Sequence, residues 1–136
     1  MKNNKNSLIS LKKFIENSLY KKGDGYYMSK DPFGHKGDFL TSPNISIFFS
    51  EIIAIWILSL WENLKKPKKL NIIELGAGNG EMIRIICKTF ESFPKFEDCF
   101  NIYILEKSPY LKKIQKKKIK SKNVFWINNL KKIKNG

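Results

Sequence analysis

Histidine occurs once, at His35, and cysteine twice, at Cys87 and Cys99. So few ligating side chains, with the cysteines in no zinc spacing, exclude both a His/Cys metal centre and a disulfide scaffold. No metal site is expected. Arginine also occurs once, at Arg84, although Lys and Arg together number 26 against 12 acids and give a formal charge of +14. Arginine is the side chain that reads guanine edges bidentately and stacks on bases, so a surplus made of lysine is poorly suited to nucleic-acid reading. A nucleic-acid partner is not expected, and solvated faces account for most of the charge. The most apolar stretch, Ile45 to Trp61, is shorter than the ~20 residues a bilayer span needs. It carries Glu51 near its middle and is interrupted by Ser46, Ser50 and Ser59. It reads as a buried or half-buried helix, not a membrane span. No signal peptide is expected either, because Met1 is followed by Lys2, Asn3, Asn4, Lys5 and Asn6 with no apolar run behind them.

What is present suits one soluble domain: 136 residues, 42% hydrophobic and 13% aromatic. Residues 7–21 have helical spacing, with Leu8, Leu11, Ile15 and Leu19 on one face and Lys12, Lys13 and Glu16 on the other. Gly23 and Gly25 end that pattern. From Tyr26 to Pro43 no periodicity survives Asp31-Pro32, Gly34 and Gly37, and the loop mixes aromatic and polar side chains as a ligand cover would. Lys65 to Lys69, around Pro67, reads as a solvated linker. Beyond it the chain alternates: strand Leu70 to Leu75, helix Gly80 to about Phe90, strand Ile102 to Leu105, then a helix opened by Ser108-Pro109 and running to about Lys120. A third strand covers Asn123 to Ile127. The expected fold class is α/β, an N-terminal helical and loop arm followed by a βαβαβ parallel half-sheet with right-handed crossovers. The expected division is an arm over residues 1–66, covering cofactor or substrate, and a partial Rossmann-like cofactor-binding domain over 67–136.

The segment Glu74-Leu75-Gly76-Ala77-Gly78-Asn79-Gly80 sits where a strand turns into a helix. Glycines there allow a tight turn and close approach of a ligand to the backbone. The nicotinamide fingerprint would place its third glycine where Glu81 stands, and the phosphate-cradling Gly-Lys-Ser/Thr is absent. E-x-G-x-G-x-G is instead the form used for S-adenosylmethionine, a nucleoside without phosphate whose amino acid end is cationic. Glu106, closing the next expected strand, is placed to accept hydrogen bonds from ribose hydroxyls. Glu74, Gly76, Ala77, Gly78, Gly80 and Glu106 are therefore the expected cofactor residues, joined by Thr41 and Ser42 of the loop. Asp38 and Glu51 are the carboxylates expected to orient an acceptor and take its proton.

In its motifs the chain resembles the MidA-like family of class I methyltransferases. The matching pieces are Gly25-Tyr26-Tyr27, Gly37-Asp38-Phe39-Leu40-Thr41-Ser42-Pro43, Ile55-Trp56, Glu74 to Gly80, and Leu105-Glu106-Lys107-Ser108-Pro109 with Leu111 and Gln115. The resemblance implies methyl transfer from S-adenosylmethionine. Its mitochondrial members imply a protein arginine as acceptor and a subunit of respiratory complex I as partner. It also implies a bacterial cytoplasm or, in a eukaryote, the mitochondrial matrix. Two positions depart from the family pattern: Asn44 stands where a Glu is usual after the TSP, and Ser50 where a Gly is usual. By the same resemblance a fourth strand would lie beside the first. A chain ending at Gly136 is expected to leave that strand with an open edge and the cofactor crevice short of a wall. A shortened form, one piece of a split gene or a decaying copy is the expectation, with a complementing C-terminal half or a dimer partner as its complement. Two rivals stand beside the enzyme: a non-catalytic remnant, and a basic nucleic-acid-binding domain built on the lysines from Lys112 to Lys122.

Overall fold

Three short strands, β1 (Leu70–Leu75), β2 (Phe100–Leu105) and β3 (Val124–Ile127), pair in parallel in the spatial order β1-β2-β3. The computed structural model describes residues 8–133. Register runs Leu70↔Phe100 through Leu75↔Leu105 on one side of β2 and Ile102↔Val124 through Leu105↔Ile127 on the other. Parallel strands need crossovers, and here each is a helix: α5 (Glu81–Phe90) between β1 and β2, and α7 (Pro109–Lys118) between β2 and β3. The expected α/β fold with a βαβαβ half-sheet is the observed one. β2 begins two residues earlier than its apolar run, at Phe100, after a turn of helix α6 (Pro94–Glu97) that the sequence pattern does not announce.

The core lies on one face of the sheet. Phe100, Ile102 and Ile104 of β2 point into it, met by Ile83, Ile86, Cys87 and Phe90 of α5. Phe90, Phe96 and Phe100 form an aromatic triangle with ring centroids 4.8 to 5.2 Å apart, and Trp61 stands edge-on to Phe96 at 5.1 Å. Trp61 belongs to α4 (Ile47–Asn63), the apolar stretch, which buries only Ser50, Ala54, Ile57, Leu58 and Trp61. Its other side leaves Ile52, Ile55 and Trp56 exposed. Among the described residues no helix is long and apolar enough to cross a membrane. The helix closes on Lys65 and Lys66, both left-handed, whose N–H groups reach back to Glu62 and Trp61. The Trp61 indole N–H then holds the linker by donating to the Pro67 carbonyl at 2.9 Å.

The arm differs from its expectation. The helix expected over residues 7–21 is α1 (Leu11–Tyr20); residue 7 lies outside the described residues. Ser10 fixes its start by accepting the Lys13 N–H at 3.3 Å. Most of its apolar stripe is left uncovered by the described residues: Leu11, Phe14 and Ile15 are exposed, and only Leu19 and Tyr20, at the end facing α2, turn inward. The loop from Tyr26 to Pro43 is not wholly irregular. It contains α2 (Tyr26–Ser29) and at its end runs into α3 (Ser42–Ile45), and between them residues 32–39 close on themselves. Phe39 N–H donates to Pro32 O at 2.8 Å and Gly34 N–H to Phe39 O at 2.9 Å, while a Cβ on Gly37 would overlap the Pro32 carbonyl. Ser108, fully buried, fastens α2 to the sheet: it caps α7 by accepting the Leu111 N–H at 3.1 Å and donates to the Tyr27 carbonyl. Ser108→Ala removes the cap and strands that carbonyl. It is expected to cost about 1–2 kcal/mol, read as a lower urea midpoint with an unchanged slope.

Candidate cofactor site

The turn after β1 is built by glycines doing three different things. The ladder continues one step past Leu75, where Gly76 N–H donates to Leu105 O at 3.0 Å, and then the chain turns. Gly76, Gly78 and Gly80 have φ of +80°, +51° and +79°, the left-handed region where a side chain is strained. A Cβ on Gly76 would meet nothing within 4 Å, so this backbone faces open space. One on Gly78 would rest 3.5 Å from the Phe33 ring, which lies over the turn. At Gly80 it would press at 3.2 to 3.3 Å on Gln115 of α7 and on Ile119 at its C-terminal cap. Gly80, expected at the cofactor, serves helix packing instead, while Ala77 between the first two is buried in the core.

A cleft of about 310 Å³ opens at this turn. Glu74, Gly76, Ala77, Gly78 and Asn79 form one side; Thr41, Ser42, Pro43 and Asn44 form the other, with Phe33 over it. The two sides are joined by polar side chains. Asn44 donates to Thr41 Oγ1 at 2.7 Å and accepts from Asn79 Nδ2 at 3.0 Å, and Asn79 in turn accepts the first N–H of α5, from Glu81, at 3.3 Å. Asn44, one of the two departures from the family pattern, is thus the residue that clasps the TSP segment onto the glycine turn. Sequence reasoning gave Asn79 no role and Phe33 only a place among the aromatics of the covering loop.

Glu74 reaches this cleft from the end of β1. Its Oε2 is buried and has no hydrogen-bond partner among the described residues. Burial first, and the neighbouring Glu106 second, push its carboxyl up to about 7. Glu106 itself is buried and lines an adjoining hollow with Lys107, Lys112 and Asn128. Its carboxylate is aimed by the Ser108 N–H at 2.8 Å on Oε1 and by Gln115 Nε2 at 3.0 Å on Oε2. The structure therefore brings together Thr41, Ser42, Glu74, Gly76, Ala77 and Gly78, with Glu106 one side chain away.

It does not bring Asp38 or Glu51 into the cleft. Asp38 is exposed and accepts from the Tyr26 hydroxyl and from Lys30 Nζ at 2.6 Å, so lysine and tyrosine hold its carboxyl below the usual range. Glu51 stands on α4 outside the cleft lining. Glu81 does line the cleft, but Arg84 and Lys118 neutralise it, with Lys118 at 3.2 Å. The exposed lysines Lys113, Lys116 and Lys117 of α7, and Lys120 just beyond its end, lie outside it. A larger groove of about 460 Å³ between α4 and α6 is mostly apolar and holds neither the glycine turn nor the acid pair.

A glycine turn after β1 of a parallel sheet, an acid at the end of β1 and another after β2 define a Rossmann-like nucleoside-cofactor fold of the class I methyltransferase kind. Residues 52–136 match the sequence profile of the family described as "Putative S-adenosyl-L-methionine-dependent methyltransferase", and the chain belongs to that family. It is similar to the Drosophila melanogaster protein named protein arginine methyltransferase NDUFAF7 homolog, mitochondrial, at 36% identity over 79% of this chain and 24% of the relative. The Xenopus laevis and human proteins named protein arginine methyltransferase NDUFAF7, mitochondrial, are each 33% identical, over 85% and 79% of this chain. The chain spans about a quarter of the length of these curated relatives. In fold it is similar to a Burkholderia thailandensis COG1565 superfamily member solved with S-adenosyl-homocysteine. The TM-score is 0.71 at 23% identity, over 90% of this chain and 33% of that one.

Proposed function

We propose that the cleft at the glycine turn binds S-adenosylmethionine and that the chain takes part in methyl transfer to a protein arginine. The observation that carries this reading is the orphaned Glu74 Oε2. A buried carboxylate oxygen without a partner is costly, and a cationic ammonium seated at the open Gly76 backbone would satisfy it. The residues fit such a ligand: Glu74 faces the cationic end, Gly76 and Gly78 give close backbone approach, and Glu106 offers acceptors to ribose hydroxyls. When bound, S-adenosylmethionine supplies an electrophilic methyl on a sulfonium. The protein's part is to hold donor and acceptor in line and exclude water. Thr41, Ser42 and Phe33 wall the cleft, consistent with residues 1–66 acting as its cover and 67–136 as the cofactor-binding part. The names of the curated relatives support arginine in a protein as acceptor, and the family resemblance supports a respiratory complex I subunit. Their mitochondrial names support the mitochondrial matrix in a eukaryotic host; in a bacterium the cytoplasm is the corresponding compartment.

Calorimetric titration of S-adenosylhomocysteine into the 136-residue chain tests the reading. Saturable binding is expected, weakened tenfold or more by Gly76→Val, whose Cβ would meet no protein atom within 4 Å, so that the change acts on the ligand's approach and the local backbone. A chain that melts cooperatively yet binds nothing overturns it.

A further inference from the structure

We infer that Gln115 is a positioning residue of the cofactor site, holding the glycine turn and the ribose acid in one fixed relation; this rests on the cofactor reading above. The side chain comes from the middle of α7 and is fully buried. Its Nε2 donates to the Gly78 carbonyl at 2.8 Å and to Glu106 Oε2 at 3.0 Å, and its Oε1 accepts the Trp126 indole N–H at 2.9 Å. Both amide hydrogens and the carbonyl are thus used. Reversing the amide would set its NH₂ against the indole N–H and its oxygen against two acceptors, so Trp126 fixes which end faces the site.

The arrangement answers an electrostatic problem. The Gly78 carbonyl and the Glu106 carboxylate are both acceptors, and they approach each other only because a donor stands between them. Gln115 is close enough to do so because Gly80 has no side chain: a Cβ there would lie 3.2 Å from Gln115 Cγ. Each Glu106 oxygen accepts one hydrogen bond from the protein, from Ser108 N–H and from Gln115, leaving a further lone pair on each for ribose hydroxyls. Without the amide the carboxylate loses one of its two restraints and the turn loses its tie to α7.

The test measures recognition of the ribose rather than binding alone. S-adenosylhomocysteine and its 2′-deoxyribose analogue are titrated against wild type and Gln115→Met, a substitution of similar volume without hydrogen-bonding groups. Wild type is expected to prefer the ribose ligand about tenfold or more, as suits a hydroxyl donating to a carboxylate. Gln115→Met is expected to reduce that preference to within about threefold. Trp126→Phe keeps the amide but releases its orientation, and gives an intermediate ratio; it carries the test should Gln115→Met fail to fold. Parallel weakening of both ligands, with the ratio unchanged, assigns Gln115 to packing alone and overturns the inference while leaving the cofactor reading intact. Failure of wild type to bind either ligand overturns both.

Discussion

Phe90→Ala is expected to destabilise the chain by about 4 kcal/mol, the range seen when a fully buried phenylalanine is truncated. Phe90 has no exposed surface and its ring touches two others, Phe96 at 4.8 Å nearly edge-on and Phe100 at 4.9 Å. Losing it removes the transfer energy of a phenyl group, leaves a cavity, and breaks two aromatic pairs that add to simple burial. The cavity cannot readily collapse, because each surrounding ring is held from a different direction. Phe96 comes from α6, Phe100 from the start of β2, and Trp61, against Phe96, is pinned by its bond to Pro67. A melting temperature lowered by on the order of 10–20 °C, followed by circular dichroism, is the expected reading for a chain of this length. A shift of only a few degrees would show that α5, α6 and β2 do not share one core.

The parts of this fold that can be read from residues are those where pattern and burial agree. Leu70 to Leu75, the stripe of α5 and the Ser108-Pro109 start of α7 are each set by local chemistry that the tertiary structure reinforces. The arm shows the opposite. Its helical spacing in α1 is sound, but periodicity reports that a face is apolar, not that anything covers it, and Leu11, Phe14 and Ile15 stay exposed. The closed turn over residues 32–39 rests on backbone bonds between Pro32, Gly34 and Phe39, which no side-chain pattern encodes.

At the site, the glycines and the two acids can be picked out because few residue types satisfy a left-handed turn or meet a cation. Their separate duties cannot, since Gly76 and Gly80 look identical until α7 is placed against one of them. Gln115 did leave a signal. It falls between Leu111 and Ile119 at four-residue steps, on the stripe that is buried, where a polar side chain among lysine-rich neighbours has to be bonded. Asn79 left none, and Asn44 only its departure from the family pattern: their contact joins segments far apart in the chain, and asparagine is common throughout it.

Cofactor affinity is expected to rise with pH through neutrality, because Glu74 must ionise to meet a cation. Burial and then Glu106 raise its carboxyl from an ordinary 4.5 to about 7. In the window between those values the folded chain holds a proton that the unfolded chain has released, so stability falls as pH rises. The contribution of the protonated form is fully present below about 4.5. It is lost as pH climbs through 7, at a cost of about 3 kcal/mol. Glu74→Gln should therefore flatten the stability profile and leave the empty chain more stable than wild type at pH 8. Binding runs the other way. A carboxylate that titrates near 7 is about one-tenth ionised at pH 6, so S-adenosylhomocysteine should bind roughly tenfold more weakly there than at pH 8, and one proton should leave on binding. Calorimetry at pH 6 in two buffers of different ionisation enthalpy measures that proton directly, and Glu74→Gln should abolish its release while weakening the complex at pH 8. A wild-type affinity that is flat from pH 6 to 8 would mean the ligand's cationic end does not meet Glu74, and that the orphaned oxygen answers to some other group.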